Sequence, residues 1–519
     1  MKRRPPKRKP PTSSSPTYPT TKPSERKPSE RPRPLPFASR SEAPAGSKSP
    51  RREGPAGRSR MRAARPDASP KGASIRERNE PEREAMHVVP LDKLSRAAIE
   101  IAATVEAGVL SDGKHADRML SQILRERHDL GPPDRMLISQ SVFALFRWKG
   151  WLDPLALERP EARLLFAWLL DAPIVHPVCR VWARAIEFDP SRLFTLGGAP
   201  SWTARADAWK RLHDGVAVTA DPWRLFPPWL REHLPLSPGS GSPKLKNLEL
   251  LEALQSRPPI WVRAQGDEPR RVWEELGELG LKPWVHRRVT SAARMGPDAN
   301  VHHIEPFKLG RLEIQDLASQ AVGLACDPEP GERWWDACAG AGGKALQLSA
   351  LLKGKGLVVA TDVHEFKLKE TVRRARRSPF RNVTTKPWDG KHVVGKPGTF
   401  DGVLVDAPCS AIGTWRRNPD ARWTLDRLAI PRLAELQAQL LRSAAAGVKP
   451  GGTLVYSVCT LTPTETHDVI RPFLAERPEF RLDPFPHPLS GVMTDGTTLI
   501  WPQEADNDAM FIARMIRTG

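Results

Sequence analysis

The sequence predicts an α/β fold over residues 326–519, a mostly parallel sheet wrapped by helices, preceded by an all-helical block and a small α+β connector. Three observations carry this expectation. From about Glu332 onward, short apolar runs alternate with helical stretches, the signature of strands joined by crossover helices. Between Val88 and about Leu234, apolar residues recur at helical spacing and strand patterning is absent. The first 85 residues have neither pattern and are dense in Pro, Ser, Arg and Lys.

That opening segment, residues 1–85, has 23 Lys/Arg against 9 Asp/Glu, whereas the whole 519-residue chain has a net charge of +20. Most of the positive excess therefore belongs to the tail. With almost no aliphatic residues it cannot offset its ordering entropy, so it is expected to be disordered. It reads either as a solubilising arm or as an arm that contacts polyanions, since Lys and Arg gain sequence-independent affinity for nucleic acid by releasing counterions. No apolar signal-like run follows the first charges, and no stretch of roughly 18 apolar residues occurs, so neither export nor a membrane partner is expected and the chain should be a cytoplasmic monomer. Five cysteines, Cys179, Cys326, Cys338, Cys409 and Cys459, are too few and too scattered for a disulfide framework. No CxxC pair or His cluster has metal-ligand spacing, so no zinc site is expected.

The helical block is placed at residues 86–236. Leu94, Ala98, Ile101 and Val105 form one amphipathic stripe. Leu137, Ile138, Val142, Leu145 and Phe146 form another, after a helix start at Pro133 and Asp134. Most tryptophans of this block are expected in its core. Ser237 to Lys244, SPGSGSPK, reads as a hinge. The connector, residues 245–325, shows a strand entry at Pro258–Arg263, a helix over Arg270–Leu279 and a strand over Trp284–Val289. In the α/β domain the strand runs are RWWDA, GLVVATD, NVTTK, FDGVLVDAP and GTLVYSV, with helices at Lys344–Leu352, Phe366–Arg377, Leu425–Gly447 and Thr464–Glu476. Ligands in such folds bind at the carboxyl ends of the strands, near the topological switch point.

Four features lie where that rule demands. Asp336-Ala-Cys-Ala-Gly-Ala-Gly-Gly-Lys344 leaves the first strand and enters a helix. Its glycines allow a tight turn and close backbone approach, and the helix start offers free N–H groups. The loop thus makes Ala339, Gly340, Ala341, Gly342, Gly343 and Lys344 candidate cofactor contacts, though Gly-rich turns serve several nucleotide-like cofactors. It is not a P-loop, because the glycines are too close together and no Lys-Ser/Thr follows. Asp362 ends the next strand about 20 residues on, where a carboxylate can accept ribose hydroxyls; a helix-capping Asp is the competing reading. Asp389 in Trp-Asp-Gly is a candidate for the adenine end of a cofactor, in competition with a simple turn.

The other two features carry cysteines. Asp406-Ala-Pro-Cys-Ser-Ala-Ile-Gly413 follows one strand, and Tyr456-Ser-Val-Cys-Thr460 ends another. Should those strands be neighbours, Cys409 and Cys459 would reach one pocket rim beside Asp406. A thiol at a single strand end is unremarkable, but two flanking one acid point to covalent catalysis.

From roughly Pro258 to the C-terminus, the chain resembles the RNA cytosine-5 methyltransferases of the RsmB/Sun family. DACAGAGGK is similar to the family's D-x-C-A-A-P-G-G-K loop. DAPCS with Gly413 and Arg416-Arg417-Asn-Pro-Asp420 is similar to its second cysteine motif, and YSVCT with Glu465 to its Y-S-T-C-S nucleophile motif. Gln315-Asp316, Ser319-Gln320 and Asp508-Ala-Met-Phe511 also have counterparts. GPPDRMLISQSVFALFRWK is more loosely similar to the NusB-like RNA-binding domain of the bacterial 16S ribosomal RNA subfamily. Departures are Ala341 for the loop proline, Val458 and Thr460 in the nucleophile motif, Gln265 for Asn and Ala509 for a glycine. The resemblance implies a Rossmann-like methyltransferase domain, S-adenosyl-L-methionine as cofactor and an RNA partner, most simply 16S ribosomal RNA with the target cytosine in a loop or bulge. It further implies that Cys459 attacks carbon 6 of the base, that Asp406 (also a cofactor-side candidate) serves the N3 edge and that Cys409 assists elimination. Chemistry alone does not rank the thiols, since a Pro-Cys pair is the nucleophile motif of DNA cytosine-5 enzymes. Lys344 and Arg416 are candidate cations for lowering a thiol pKa.

Other readings share some of these features. An NAD-dependent oxidoreductase would use the glycine loop and Asp362 but leaves both cysteine motifs unexplained. An idle RNA-binding assembly factor would keep the fold without needing Asp406, Cys409 and Cys459, and a transfer RNA enzyme would keep the chemistry.

Overall fold

The computed structural model describes residues 89–172, 174–194, 202–212, 220–235, 247–266 and 268–519. The basic tail and the Ser237–Lys244 hinge lie outside the described residues. Among the described residues no helix is long and apolar enough to cross a membrane.

Helices Leu91–Asp112, Ala116–Glu126, Pro132–Leu152, Pro160–Asp171, Val178–Ala185 and Trp202–Leu212 build the first part. The stripe Leu94, Ala98, Ile101 and Val105 is buried, as its spacing predicts. Asp134 caps the third helix by accepting the Gly131 N–H at 3.0 Å. Trp148, Trp151, Trp182 and Trp209 are core residues, with Trp151 and Trp209 stacked at 6.2 Å.

The connector holds a four-stranded antiparallel sheet of β1 (Ile260–Ala264), β2 (Trp284–Val285), β3 (Ala292–Met295) and β4 (Leu312–Ile314), in the order β2-β3-β1-β4. Helix Pro269–Glu278 lies between β1 and β2 in sequence. The expected strand Trp284–Val289 is cut to two residues because the chain turns: His286 Nδ1 accepts the Val289 N–H at 3.0 Å, and the Val289 carbonyl accepts from Ala292. Two flanking helices leave the connector. Leu248–Gln255 sends Leu250, Leu251 and Leu254 into the helical core, and Leu317–Cys326 packs on the larger sheet.

That larger sheet has eight strands. β5 (Arg333–Asp336), β6 (Leu357–Asp362), β7 (Val383–Pro387), β8 (Phe400–Asp406) and β9 (Val448–Val458) are parallel and match the five apolar runs. β10 (Phe480–Leu482), β11 (Thr497–Ile500) and β12 (Met510–Arg517) are antiparallel additions. The sheet is therefore mixed, with the expected parallel strands extended at one end by antiparallel ones. The β11–β12 hairpin returns the chain against β9 and covers what would otherwise be an open edge. The order β10-β12-β9-β8-β5-β6-β7 puts the topological switch at β5, between β6 and β8.

One excursion ties this sheet to the helical part. After β8 the chain runs through Ile412 and Trp415, which are buried in the helical core. Arg422 is fully buried: its guanidinium donates to the carbonyls of Leu225, Leu254 and Trp415 and to Gln255 Oε1. Arg147, paired with Asp171 at 2.8 Å, donates to the Arg416 carbonyl at 3.1 Å, and Trp423 Nε1 donates to the Phe146 carbonyl at 2.7 Å. Truncating Trp415 would open a cavity where these parts meet. Trp415→Ala is expected to cost about 3–5 kcal/mol, seen as a lower urea midpoint followed by tryptophan fluorescence.

Candidate active site

The site starts from the glycine loop. The Ala337 N–H donates to the Leu404 carbonyl and the Ala339 N–H to the Thr361 carbonyl, both at 2.8 Å, so the loop is pinned to the strands on either side of β5. Gly340 and Gly342 have φ of 55° and 86°, a left-handed region that favours glycine. A Cβ on Gly342 would lie 2.7 Å from the Thr371 methyl. The loop carries Ala341 without distortion, because that side chain is exposed and its carbonyl accepts from Arg374 at 2.9 Å.

Asp362 joins the two competing readings. One carboxylate oxygen accepts the Gly340 N–H at 3.0 Å and the other the His364 N–H at 2.8 Å, which shapes the entry to helix Glu365–Arg377. The same residue lines a cavity of about 490 Å³ at the carboxyl ends of the strands. Of the expected cofactor contacts, Gly340, Asp362, Asp389 and Asp406 line this cavity. Ala339, Ala341, Gly342, Gly343 and Lys344 build the loop and helix start behind it. Asp389 also organises its own turn, accepting the N–H groups of Lys391 and His392 and pairing with the His392 ring at 2.6 Å. Those backbone and imidazole contacts hold its pKa well below the usual carboxylate range.

On the opposite wall, β8 and β9 are parallel neighbours with Asp406 aligned to Ser457. The Asp406 carboxylate accepts Ser457 Oγ on one oxygen and Lys344 Nζ on the other, each at 2.8 Å. Past these strand ends the structure brings Cys409 and Cys459 together with a sulfur–sulfur distance of 3.4 Å. Both thiols line the cavity.

Two charges act on this pair from different sides. Burial works against the Lys344 ammonium, but the charge and hydrogen bond of Asp406, then Cys459, outweigh it and raise its pKa, so it stays a cation. The hydrogen bond with Cys459, then burial, then the charges at Cys459 and Glu465 push the Cys409 thiol well up. Arg416, suggested by the sequence as a second cation, does not serve the thiols. It is fully buried and donates to the Asn507 carbonyl, Ser256 Oγ, the Arg257 carbonyl and Asp506. Lys344 is the cation paired with Asp406.

Sequence reasoning missed how the two cysteine loops are joined. Glu465 is fully buried and accepts hydrogen bonds from Ser410 N (2.8 Å), Ser410 Oγ, Gln437 Nε2 (3.0 Å), Thr460 Oγ1 (3.1 Å) and Thr462 Oγ1 (2.9 Å). Ser410 follows Cys409 and Thr460 follows Cys459. The glutamate was visible beside the nucleophile motif, but no spacing reveals that it reaches across to the other loop. The cavity wall at Trp388, Leu436 and Leu440 and the rim at Lys367 also had no local signal.

A Gly-loop cavity at the switch point of a mixed sheet, flanked by an acid and paired thiols, defines a Rossmann-like S-adenosylmethionine-dependent methyltransferase. The family model for 16S rRNA methyltransferase RsmB/F matches residues 323–516. A probable ribosomal RNA small subunit methyltransferase B of Bacillus subtilis (strain 168) is 38% identical over 331 residues, 62% of this chain and 71% of that protein. One of the same description from Synechocystis is 28% identical over 421 residues, 75% of this chain and 93% of that protein. The crystal structure of PH0851 shares the fold with a TM-score of 0.63 at 24% identity, over 82% of this chain and 99% of that one. The chain belongs to the RsmB/F family of RNA methyltransferases.

Two outcomes follow from the site. Gly342→Ala places a side chain at positive φ against Thr371 and is expected to weaken S-adenosylmethionine binding roughly 5- to 150-fold by isothermal titration, given the ~1–3 kcal/mol that such backbone strain costs. Asp336, fully buried at the foot of the loop, has its pKa pushed up to about 8, first by burial and then by Asp406. Its folded pKa exceeds that of an unfolded Asp, about 3.9. The folded state therefore binds the extra proton, and this group's contribution to stability falls as pH rises from about 4 through about 8. Asp336→Asn, always neutral, should gain in melting temperature relative to the parent as pH rises from 5 to 9. A difference that is flat with pH would refute the assignment.

Proposed function

We propose that this RNA methyltransferase transfers the methyl group of S-adenosylmethionine to carbon 5 of a cytosine in 16S ribosomal RNA, through a covalent adduct between Cys459 and carbon 6 of the base. The observation that carries this reading is the pair of thiols 3.4 Å apart on the cavity rim, beside the Asp406–Lys344 ion pair.

The chain's residues fit the methyl donor. Asp362 is buried at the cavity wall with its carboxylate aligned by the Gly340 and His364 amides, ready to accept ribose hydroxyls. Trp388 and Leu440 offer apolar walls near Asp389 for an adenine ring. When bound, the donor supplies an electrophilic methyl carbon on a sulfonium. Carbon 5 of cytosine is too electron-poor to attack it unaided. The Cys459 thiolate adds to carbon 6 and breaks the ring's aromaticity. Asp406 with Lys344 delivers a proton or hydrogen bond to the N3 edge, absorbing the charge that develops there. Carbon 5, now enamine-like, takes the methyl group. Water takes the carbon 5 proton, the Cys459 sulfur leaves with the C6–sulfur electron pair and the N3 proton returns to the Asp406–Lys344 pair, which restores the aromatic ring. Cys409, held as a neutral thiol 3.4 Å away, assists that release.

The target base must leave its stack to reach this rim, which favours a loop or bulge where unstacking costs little. The helical block, assigned to residues 86–236, and the connector, 245–325, would grip the flanking RNA by its phosphates, with the tail of residues 1–85 adding sequence-independent contacts. The named relatives favour ribosomal over transfer RNA.

Cys459→Ala is expected to abolish both methyl transfer and the denaturant-stable RNA–protein adduct. Cys409→Ala should let the adduct accumulate on a denaturing gel; the reverse pattern would exchange the two roles. Bisulfite mapping of ribosomal and transfer RNA from cells with and without the gene locates the cytosine, and a site found only in transfer RNA would overturn the ribosomal assignment.

A further inference from the structure

We infer that Glu465 is a positioning residue for methyl transfer: it locks the two cysteine loops into one register, so that both sulfurs serve the same base in a fixed order. The inference rests on the two-thiol reading above and deepens it.

Neither cysteine is held by its own side chain alone. Cys409 lies in a loop after β8 that then leaves for the helical core, and Cys459 sits just past β9. The strands align their own residues, but the last pair in register is Asp406 with Ser457. Beyond it, the Ala407 N–H donates to the Ser457 carbonyl and the Gly413 N–H to the Cys459 carbonyl. Between those two tethers lies the Cys409 turn. Glu465 fills this gap. One oxygen takes the Ser410 N–H and Gln437 Nε2; the other takes the hydroxyls of Ser410, Thr460 and Thr462. Gln437 also donates to the Pro408 carbonyl at 3.0 Å, and Tyr456 donates to Gln437 Oε1 and to the Glu465 carbonyl at 3.0 and 2.7 Å. The residues on both sides of Cys409 and the residue after Cys459 thus converge on one buried carboxylate.

A carboxylate suits this task. Both its oxygens only accept, as five converging donors require, whereas an amide would turn its own N–H groups against several of them. It also makes the site asymmetric. Its negative charge acts on Cys409, whereas the Lys344 cation from the glycine-loop helix acts on Cys459. The other ionisable groups facing the pair are Asp406 on β8, Tyr456 on β9 and, behind Lys344, Asp336 on β5. The hydrogen bond with Cys459, burial and the Glu465 charge therefore keep the Cys409 sulfur protonated.

The test uses the full chain with its ribosomal RNA substrate. Glu465→Gln keeps the size and removes the charge. Its kcat should fall roughly 100-fold, the loss expected when reacting groups are misplaced by about 1 Å, with the S-adenosylmethionine Kd unchanged. Timed iodoacetamide labelling read by mass spectrometry should show the Cys459 preference of the parent reduced and its pH profile shifted. Should that variant not fold, Ser410→Ala and Thr460→Val, each cutting one link while keeping the glutamate, should each lower kcat and reduce the same preference. A folded Glu465→Gln chain, or failing it both single-link variants, with parental kcat and labelling would overturn the inference. So would a loss confined to cofactor affinity or melting temperature. Failure of the underlying reading is distinct: the parent enzyme itself would form no covalent adduct with RNA.

Discussion

The parallel pairing of β8 with β9 is the constraint on which the site depends. Parallel strands in register end at the same height, and their following loops emerge side by side over the sheet edge. Asp406 opposite Ser457 is the last rung of that ladder, and the acid and the hydroxyl meet at 2.8 Å. A shift of one residue in either strand would turn Asp406 toward the other face. It would also break its contact with Lys344 and carry Cys409 away from Cys459. Two sulfurs separated by 50 positions in the chain come together only because this register is unique.

That register is defended from both sides. The antiparallel β12 runs along β9, Phe511 opposite Val458, and the Ala509 N–H donates to the Gly413 carbonyl at 3.0 Å. A side chain at Gly413 would collide with Ala509 and the Cys459 carbonyl, so the Cys409 loop packs there at backbone distance. From Gly413 the same loop plunges into the helical block, where Trp415 and Arg422 are fully enclosed. Carbonyls and Gln255 satisfy four of the contacts made by Arg422, a geometry in which removing an acceptor would leave a buried guanidinium N–H unsatisfied. Arg417 adds a second anchor, reaching Asp316 beside the connector and Asp508 before β12, each at 2.6 Å. The helical block is therefore structurally continuous with the loop that carries Cys409.

Much of this was legible beforehand, and what was legible shares a physical cause. Strands β5, β6, β8 and β9 announced themselves because buried strands read as apolar runs, whereas β7 lies at the edge with no buried residue. The glycine turn and Asp362 stood out because backbone approach and a terminal carboxylate need particular residue types. The β10–β12 strands escaped because an edge hairpin carries short, mixed patterns, and MFIARMIR was overshadowed by its motif. The β2 strand was overread because His286 turns the chain early. Arg416 looked like a catalytic cation because sequence distance to Cys409 is short; its side chain instead points into an interface made by residues far away in the chain. Glu465 was seen and not understood, since its partners Ser410 and Gln437 come from elements that only the fold brings together.

The electrostatics of the cavity follow from the same packing. Lys344 begins the helix after the glycine loop, so the cation that steadies Asp406 is carried by the element that shapes the cofactor cavity. Asp336, one strand inward, sits where a second full negative charge would compete with Asp406 for that one ammonium. Burial resolves the competition by keeping Asp336 protonated, which leaves Lys344 committed to Asp406. A neutral acid beneath a charged pair thus leaves one lysine acting on both Asp406 and Cys459. The glycine loop and Cys459 are coupled through a single side chain, so a change that displaces the loop also changes the charge around Cys459.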